Sequence, residues 1–344
     1  MVTKWLEGIS LEQDVAISTR IRVARNVREY DFPLYMSMEE SDNLTNDVLE
    51  SVKLSLSDSN YKFIRVRDLT PRERLMYIEE HLISPDLTQK TDKSSFLLRD
   101  DERATIMINE EDHIRIQTLL PGLNLSKGWQ LCSEIDDKLE SNLNFAFHED
   151  LGYLTSCPTN VGTGLRASVM VHLPCVSLTG HINAMIESLR KVGLTVRGIY
   201  GEGTEAIGNL YQISNQTTIG ESEEAILDKL NKIINQIVNR ERNTRKFLMD
   251  KKGIEIEDKV FRSYGLLKNS RLMSSNEAMN HLSNVKLAYD MGFLKNPRLK
   301  DVVNLMLDIK PATIQKNLNK DISKEERDKI RAKIIREFLS DMEG

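Results

Sequence analysis

The sequence predicts an α+β sheet domain followed by a small all-helical one. Up to about residue 220, short runs rich in β-branched and aromatic residues alternate with amphipathic segments. A long stretch from about 222 to 249 then carries apolar residues at helical spacing. After Gly253 the strand signal all but disappears. The expected division is therefore 1–250 and 251–344.

In chain order, STRIR at 18–22 can be read as strand. Helices are expected at 38–54 and 71–82. ATIMI (104–108) and IRIQTL (114–119) read as strands around the charged loop NEEDH, and a helix follows at 126–143. RASVMVHL (166–173), a helix at 177–191, then LTVRGIY (194–200) and LYQISNQTT (210–218) complete the sheet region. In the long helix Ile226, Leu230, Ile233, Ile234, Ile237 and Val238 share a face. Beyond it, Ser274 to Glu277 and Ser323 to Glu326 have capping-box form. Ile330, Ile334, Ile335, Phe338 and Leu339 form a stripe after the second box.

The composition narrows the function classes. With 344 residues, 40% of them hydrophobic, the chain can bury a sizeable core. No run approaches the roughly 18 apolar residues of a membrane span, and the polar, acidic N-terminus lacks a signal-like apolar stretch. Three cysteines make no disulfide framework. A cytoplasmic setting is the expectation. A net charge of −5 argues against nucleic-acid binding through the whole surface.

Four clusters could carry chemistry. Arg20 and Arg22, two apart on a strand, would share one face and suit phosphate oxygens, although alone such a pattern is more often a solvated basic strand. Glu110, Glu111 and Asp112, followed by Arg115, would repel one another unless a cation, a metal or a tight turn compensates. An exposed acidic hairpin is the plainer reading. TSCPTNVGTGLRASVM at 155–170 sets Pro158, Gly162 and Gly164 in an irregular loop between Cys157 and Arg166. No GKS or GKT follows its glycines, so it is no P-loop, and the His and Cys spacings do not suggest zinc. VRGIYGEGTEA at 196–206 places Glu202 between Gly201 and Gly203, as mobile substrate loops and ordinary turns both do.

CPTNVGTG followed by RASV, together with NEEDHIR and STRIR in this order, resembles the catalytic domain of the phosphagen (guanidino) kinases over about residues 14 to 245. The resemblance implies a mainly antiparallel sheet flanked by helices. It is nearest to the bacterial protein-arginine kinase branch. The chain begins almost at the nucleotide-binding domain, where small-guanidino kinases carry a further helical domain, and RDKIRA at 327–332 matches that branch's RDxxRA motif.

The resemblance implies nucleotide-phosphate roles for Arg20, Arg22, Arg115, Arg166 and Arg197, and puts His81 near the adenosine. It implies further nucleotide contacts along Ser18, Thr19 and Ile21, along Ala167, Ser168, Val169 and Met170, and along Gly198, Ile199, Tyr200, Gly201 and Glu202. Met170 stands where small-guanidino kinases usually have histidine, with His172 two residues on. Glu111 matches the catalytic base, Glu110 lies beside it, Glu202 matches the glutamate that orients the guanidinium, and Cys157 matches the active-site cysteine. Arg327, Asp328, Arg331 and Ala332 match a phosphoarginine pocket, Asp328 facing the guanidinium.

The implied reaction is transfer of the γ-phosphoryl of ATP, with Mg²⁺, to arginine in proteins. No protein-bound metal is expected. The implied partners are a zinc-binding activator, a Clp ATPase/protease and a stress-gene repressor, with protein quality control as the setting. A homodimer or higher homo-oligomer is expected. Two rival readings are a kinase of free arginine or another small guanidino compound, and an inactive phosphoarginine-binding adaptor.

Overall fold

The structure, a computed structural model, describes residues 3–8, 11–200, 206–295 and 301–340, with the main chain alone at 199–200. Its centre is an eight-stranded sheet. The strands are β1 (Ala16–Arg25), β2 (Tyr61–Arg65), β3 (Ser95–Arg99), β4 (Ala104–Ile108), β5 (Ile114–Pro121), β8 (Leu165–His172), β9 (Leu194–Tyr200) and β10 (Ala206–Asn215). They run in the order β2-β3-β4-β5-β1-β8-β10-β9, every pairing antiparallel. A separate ribbon joins β6 (Phe147–His148) to β7 (Gly152–Tyr153).

The helices are α1 (Met38–Ser55), α2 (Pro71–Glu79), α3 (Leu125–Glu140), α4 (Pro174–Leu178), α5 (Ile182–Lys191), α6 (Glu223–Asn269), α7 (Ser275–Asp290), α8 (Val302–Asp308), α9 (Pro311–Asn317) and α10 (Lys324–Ser340). One face of the sheet is covered by α1, α3, α5 and the first half of α6. Ile21, Val23, Ala167 and Val169 point into that layer and are fully buried. This is the main core, and period-two alternation then sends the intervening residues of β1 and β8 to the opposite face.

The opposite face is roofed at its two ends and polar between them. At the β2–β4 end, Ile64, Phe96 and Met107 pack with Val66, Ile83 and Leu87, and Tyr77 and Ile78 of α2 lie against them. At the β10 end, Ile17 and Leu210 join a core made by α7, α8 and α10. The two roofs meet. The Glu79 carboxylate accepts from the amides of Ala312 (2.9 Å) and Thr313 (3.0 Å) and from the Thr313 hydroxyl (3.2 Å) at the start of α9.

Several boundaries differ from the sequence expectation. The helix expected at 177–191 is two, because Gly180 turns the chain at φ 75°. The helix expected to reach residue 82 ends at Glu79, since His81 takes a left-handed φ of 63°. The strand expected at 210–218 begins at Ala206 and ends at Asn215. The edge strand β2 and its neighbour β3 carry no alternation strong enough to announce them. The long helix does not stop near 249 but continues to Asn269 through one non-helical residue, Lys252. Both expected capping boxes form, at Ser274/Glu277 and Ser323/Glu326. The buried line of α10 is Arg331, Ala332, Ile335 and Leu339, with Ile334 and Phe338 at its margin.

Candidate active site

Strand register gathers the arginines. Arg22 lies opposite Gln117 on β5 and Arg166 on β8, while Arg20 lies opposite Leu119 and Ser168. Arg115 is two residues from Gln117, and Arg197 pairs with Gln212, itself opposite Met170. Counting by twos puts Arg20, Arg22, Arg115, Arg166 and Arg197 on the polar face, across the three adjacent strands β5, β1 and β8 and on β9 beyond β10. Burial, then Arg20, Arg115 and Arg166, hold the Arg22 guanidinium well below its ordinary range. Burial and the charges of Arg197 and Arg115 also lower Arg166. The Arg22 Nε is buried with no hydrogen-bond partner among the described residues. Like charges crowded this way, with a donor left over, suit a ligand of opposite charge.

The acids of NEEDH are sorted by their surroundings. Asn109 takes φ 59°, and its amide donates to the His113 carbonyl (2.9 Å), which closes a tight turn between β4 and β5. Glu110 is buried, ion-paired to Arg115 and bonded to Ser84 Oγ. Asp112 is buried and accepts from Asn26 Nδ2 and the Ser156 amide, both at 2.7 Å. Glu111 alone points outward. Partial burial, with Asp112 and Glu110 close by, raises its carboxyl above the usual range, against the opposing pull of Arg115. His113 locks the turn: its Nδ1 accepts from the Val27 amide (2.9 Å), so Nε2 carries the hydrogen donated to the Asp31 carbonyl (2.8 Å).

The Asp112 bond to Ser156 brings the Cys157 loop beside the acid turn. Cys157 is half-buried, its Sγ 3.0 Å from Thr159 Oγ1 and its carbonyl accepting from Thr155 Oγ1 (2.8 Å). Two glycines fix the loop. A Cβ on Gly162, at φ 111°, would lie 2.2 Å from the Thr218 carbonyl oxygen, and one on Gly164, at φ 65°, 2.6 Å from that of Ala24. Arg25 braces it from the helical side. It pairs with Asp136 (2.5 Å), lies 3.5 Å from the centre of the Tyr153 ring and donates to the Thr163 carbonyl (2.9 Å).

A cavity of about 40 Å³ lies where the arginine face meets the helical roof, lined by Ser18, Arg20, His81, Ser168, Met170 and Gln212 among others. Burial, then the charges of Arg20 and Lys310, push the His81 imidazole down to about 3, so it is neutral. His172 lies further along β8, fully buried and bonded to Ser283 of α7 (2.8 Å), outside the cavity lining.

Several expected contacts resolve differently. Thr19, Ile21, Ala167 and Val169 turn their side chains away from the arginine face; Thr19 Oγ1 donates to the Gly122 carbonyl (2.7 Å). Only their main chains border the site, which is a consequence of strand alternation. Gly198, Ile199 and Tyr200 lie on β9, whereas Gly201 and Glu202 fall outside the described residues. In RDKIRA, Arg327 is half-buried and donates to the Ile322 carbonyl (3.0 Å). Arg331 is 1% exposed, ion-pairs with Asp328 and donates to the carbonyls of Ile309 (2.9 Å) and Met273 (2.8 Å). Ala332 is buried beside it. Among the described residues no group of three or more His, Cys, Asp or Glu is placed to hold a metal ion, and no helix is long and apolar enough to cross a membrane.

Asn26, Ser84 and Gln212 are site-forming residues that sequence reasoning missed. No local pattern marks them, and their partners lie 26 to 86 residues away in the chain.

An antiparallel sheet with arginines gathered on one face and an exposed glutamate at its rim fits the guanidino-group phosphotransferase class that the sequence motifs resemble. Solved structures agree on the fold. Lombricine kinase is 24% identical with a TM-score of 0.58, over 69% of each chain. The duplicated taurocyamine kinase of Schistosoma mansoni is 23% identical with a TM-score of 0.58, over 68% of this chain and 35% of that one. Residues 43–244 match the family ATP:guanido phosphotransferase, C-terminal catalytic domain, and residues 253–344 match the Protein-arginine kinase McsB C-terminal domain. Relatives named protein-arginine kinase are 46% identical in Desulforamulus reducens, over 99% of this chain and 96% of the relative. In Halothermothrix orenii the figures are 45%, 98% and 97%. The chain belongs to the protein-arginine kinase family of ATP:guanido phosphotransferases.

Proposed function

We propose that, in the ATP-dependent phosphorylation of arginine in proteins, Glu111 is the base and the five arginines hold the nucleotide phosphates. The observation that carries this is the sorting of charge. Two of three adjacent acids are held by partners, the third is exposed, and on the arginine face beside it the Arg22 Nε has no hydrogen-bond partner among the described residues.

The chemistry follows from those charges. Guanidinium is protonated, with a pKa above roughly 12, and is a poor nucleophile. Glu111 takes a proton from the attacking nitrogen as the N–P bond forms and the bond from phosphorus to the β,γ-bridging oxygen breaks, releasing ADP. Glu202 holds the guanidinium fork. Cys157, beside the turn, contributes a dipole or thiolate to the same group. Arg20, Arg22, Arg115, Arg166 and Arg197 offset charge on the triphosphate and on the transferring group. His81, Met170 and Ser168 flank the nucleoside. Mg²⁺ arrives with the nucleotide and supplies further charge neutralisation. No chain carboxylate is assigned to it.

We further propose that Arg327, Asp328, Arg331 and Ala332 form a phosphoarginine site on α10, and that the chain divides near 250/251. The non-helical Lys252 and the two family matches on either side of it support that division. A cytoplasmic setting, self-association, a zinc-binding activator, a Clp protease and a repressor substrate belong to the same reading and rest on the family resemblance.

The deciding experiment is incubation with Mg-ATP and a basic protein, then mass spectrometry under non-acidic conditions. Acid-labile phosphate on arginine side chains is expected. Phosphate found only on added free arginine would overturn the protein-substrate reading.

A further inference from the structure

A groove of about 530 Å³ opens beside the acid turn, between the chain that follows β1 and the outer face of α1. Its walls carry Glu29, Asp47 and Glu50, all exposed, and its lining contains no lysine or arginine. Arg28, next in sequence, is engaged elsewhere and donates to the Phe147 carbonyl (2.9 Å). The Tyr30 hydroxyl donates to Asp47 (2.5 Å), and Asn144 Nδ2 to Glu29 (2.7 Å), so two of the acids are held in place with acceptor capacity to spare. Partial burial, then Asp47, Glu29 and Glu40, push the Tyr30 hydroxyl up to about 12.

A second observation is independent of the acids. Ser51 lines the same groove, is 1% exposed, and its hydroxyl has no hydrogen-bond partner among the described residues. An unpaired buried oxygen is a costly feature that an N–H donor relieves.

The groove is also tied to the acceptor side of the site. Val27, on its floor, follows Asn26, which grips Asp112 beside Glu111. The Tyr30 ring stands edge-on to His113 of the acid turn, with centroids 6.2 Å apart.

We propose that this groove binds a second cationic side chain, lysine or arginine, of the protein substrate, close in sequence or space to the arginine being phosphorylated. The inference rests on the reading of proteins as acceptors, and it makes the enzyme selective for arginines in basic surroundings. Glu29, Asp47 and Glu50 supply the countercharge, and Ser51 accepts one donor of the incoming head group.

The test uses the full chain and two peptides that differ only beside the acceptor arginine, lysine in one and norleucine in the other. The wild type should prefer the lysine peptide, chiefly through KM. Glu50→Gln with Asp47→Asn should lower kcat/KM on the lysine peptide by about fivefold, the scale of exposed ion pairs, and leave the norleucine peptide unchanged. Glu50→Lys should favour a glutamate-flanked peptide instead, an inversion that a merely structural role would not produce. Equal rates of the wild type on both peptides, or equal losses on both in the variants, would overturn the groove alone. A wild type that phosphorylates free arginine but neither peptide would overturn the protein-acceptor reading, and the groove with it.

Discussion

The chain crowds like charges in two places and treats them oppositely. At the acid turn, the fold supplies a partner for each surplus charge. Glu110 has Arg115 and Ser84, and Asp112 has Asn26 and the Ser156 amide, so only Glu111 is left exposed. On the arginine face like charges stay crowded. Arg20, Arg115 and Arg166 disfavour protonation of Arg22, Arg197 and Arg115 disfavour that of Arg166, and the Arg22 Nε has no hydrogen-bond partner among the described residues. Buried charge that is matched serves to hold a geometry, whereas buried charge left unmatched marks where a ligand of opposite sign will sit.

The largest test is at the free acid. Glu111→Gln should lower phosphoryl transfer by about 10²–10⁴-fold, the usual share of a general base, with nucleotide affinity little changed. Full turnover in that variant would remove the distinction drawn between Glu111 and its neighbours. Transfer should also fall as pH drops through the Glu111 value, which lies above the ordinary 4.5 because the site is partly desolvated and acidic.

Glu110→Gln probes a matched charge. It should cost about 3–5 kcal/mol of unfolding free energy in urea titrations, because Arg115 keeps its buried charge without its partner. Arg22→Met probes an unmatched one, and the sign should reverse. The nucleotide-free enzyme should be no less stable than wild type, since repulsion among Arg20, Arg22, Arg115 and Arg166 is relieved. The variant should bind ATP about 10- to 100-fold more weakly by calorimetry, the weight of one or two charged hydrogen bonds. A destabilised free Arg22→Met enzyme would erase the contrast.

The smallest effect is expected at Lys310, where burial outweighs Glu79 and brings the ammonium down to about 7 from 10.5. Between those values the unfolded chain binds a proton that the folded chain does not, so this group makes stability rise with pH across the window. Lys310→Met should flatten the rise between pH 7 and 10 in urea titrations. An unchanged slope would show that the ammonium is as well solvated folded as unfolded.

Sequence reasoning read the arginine face well because it is written in period two. Arg20 and Arg22 must share a face on any strand, and pairing across β1, β5 and β8 does the rest. The acid turn was half legible. Three adjacent acids announce a need for compensation, but the compensating groups come from Asn26, Ser84 and Ser156, which only the tertiary fold brings near. Arg331 shows the limit of helical periodicity. Its place in α10 was plain, yet its burial follows from the carbonyls of Ile309 and Met273 on other segments. The ends of α2 and α4 were missed because single left-handed residues, His81 and Gly180, set them.

Glu79 holds the first amides of α9 while His81, two residues further on, lines with Arg20 the cavity proposed for the nucleoside. Arg331 reaches the same junction from the other side through the Ile309 carbonyl, just before Lys310 and α9. Glu79 is thus one of the links, with Arg72 to Asn319, between the helical region and the floor of that cavity. Thermodynamic linkage then works in both directions: a ligand that favours one seating of α9 alters nucleotide affinity by the same factor by which nucleotide alters the affinity for that ligand.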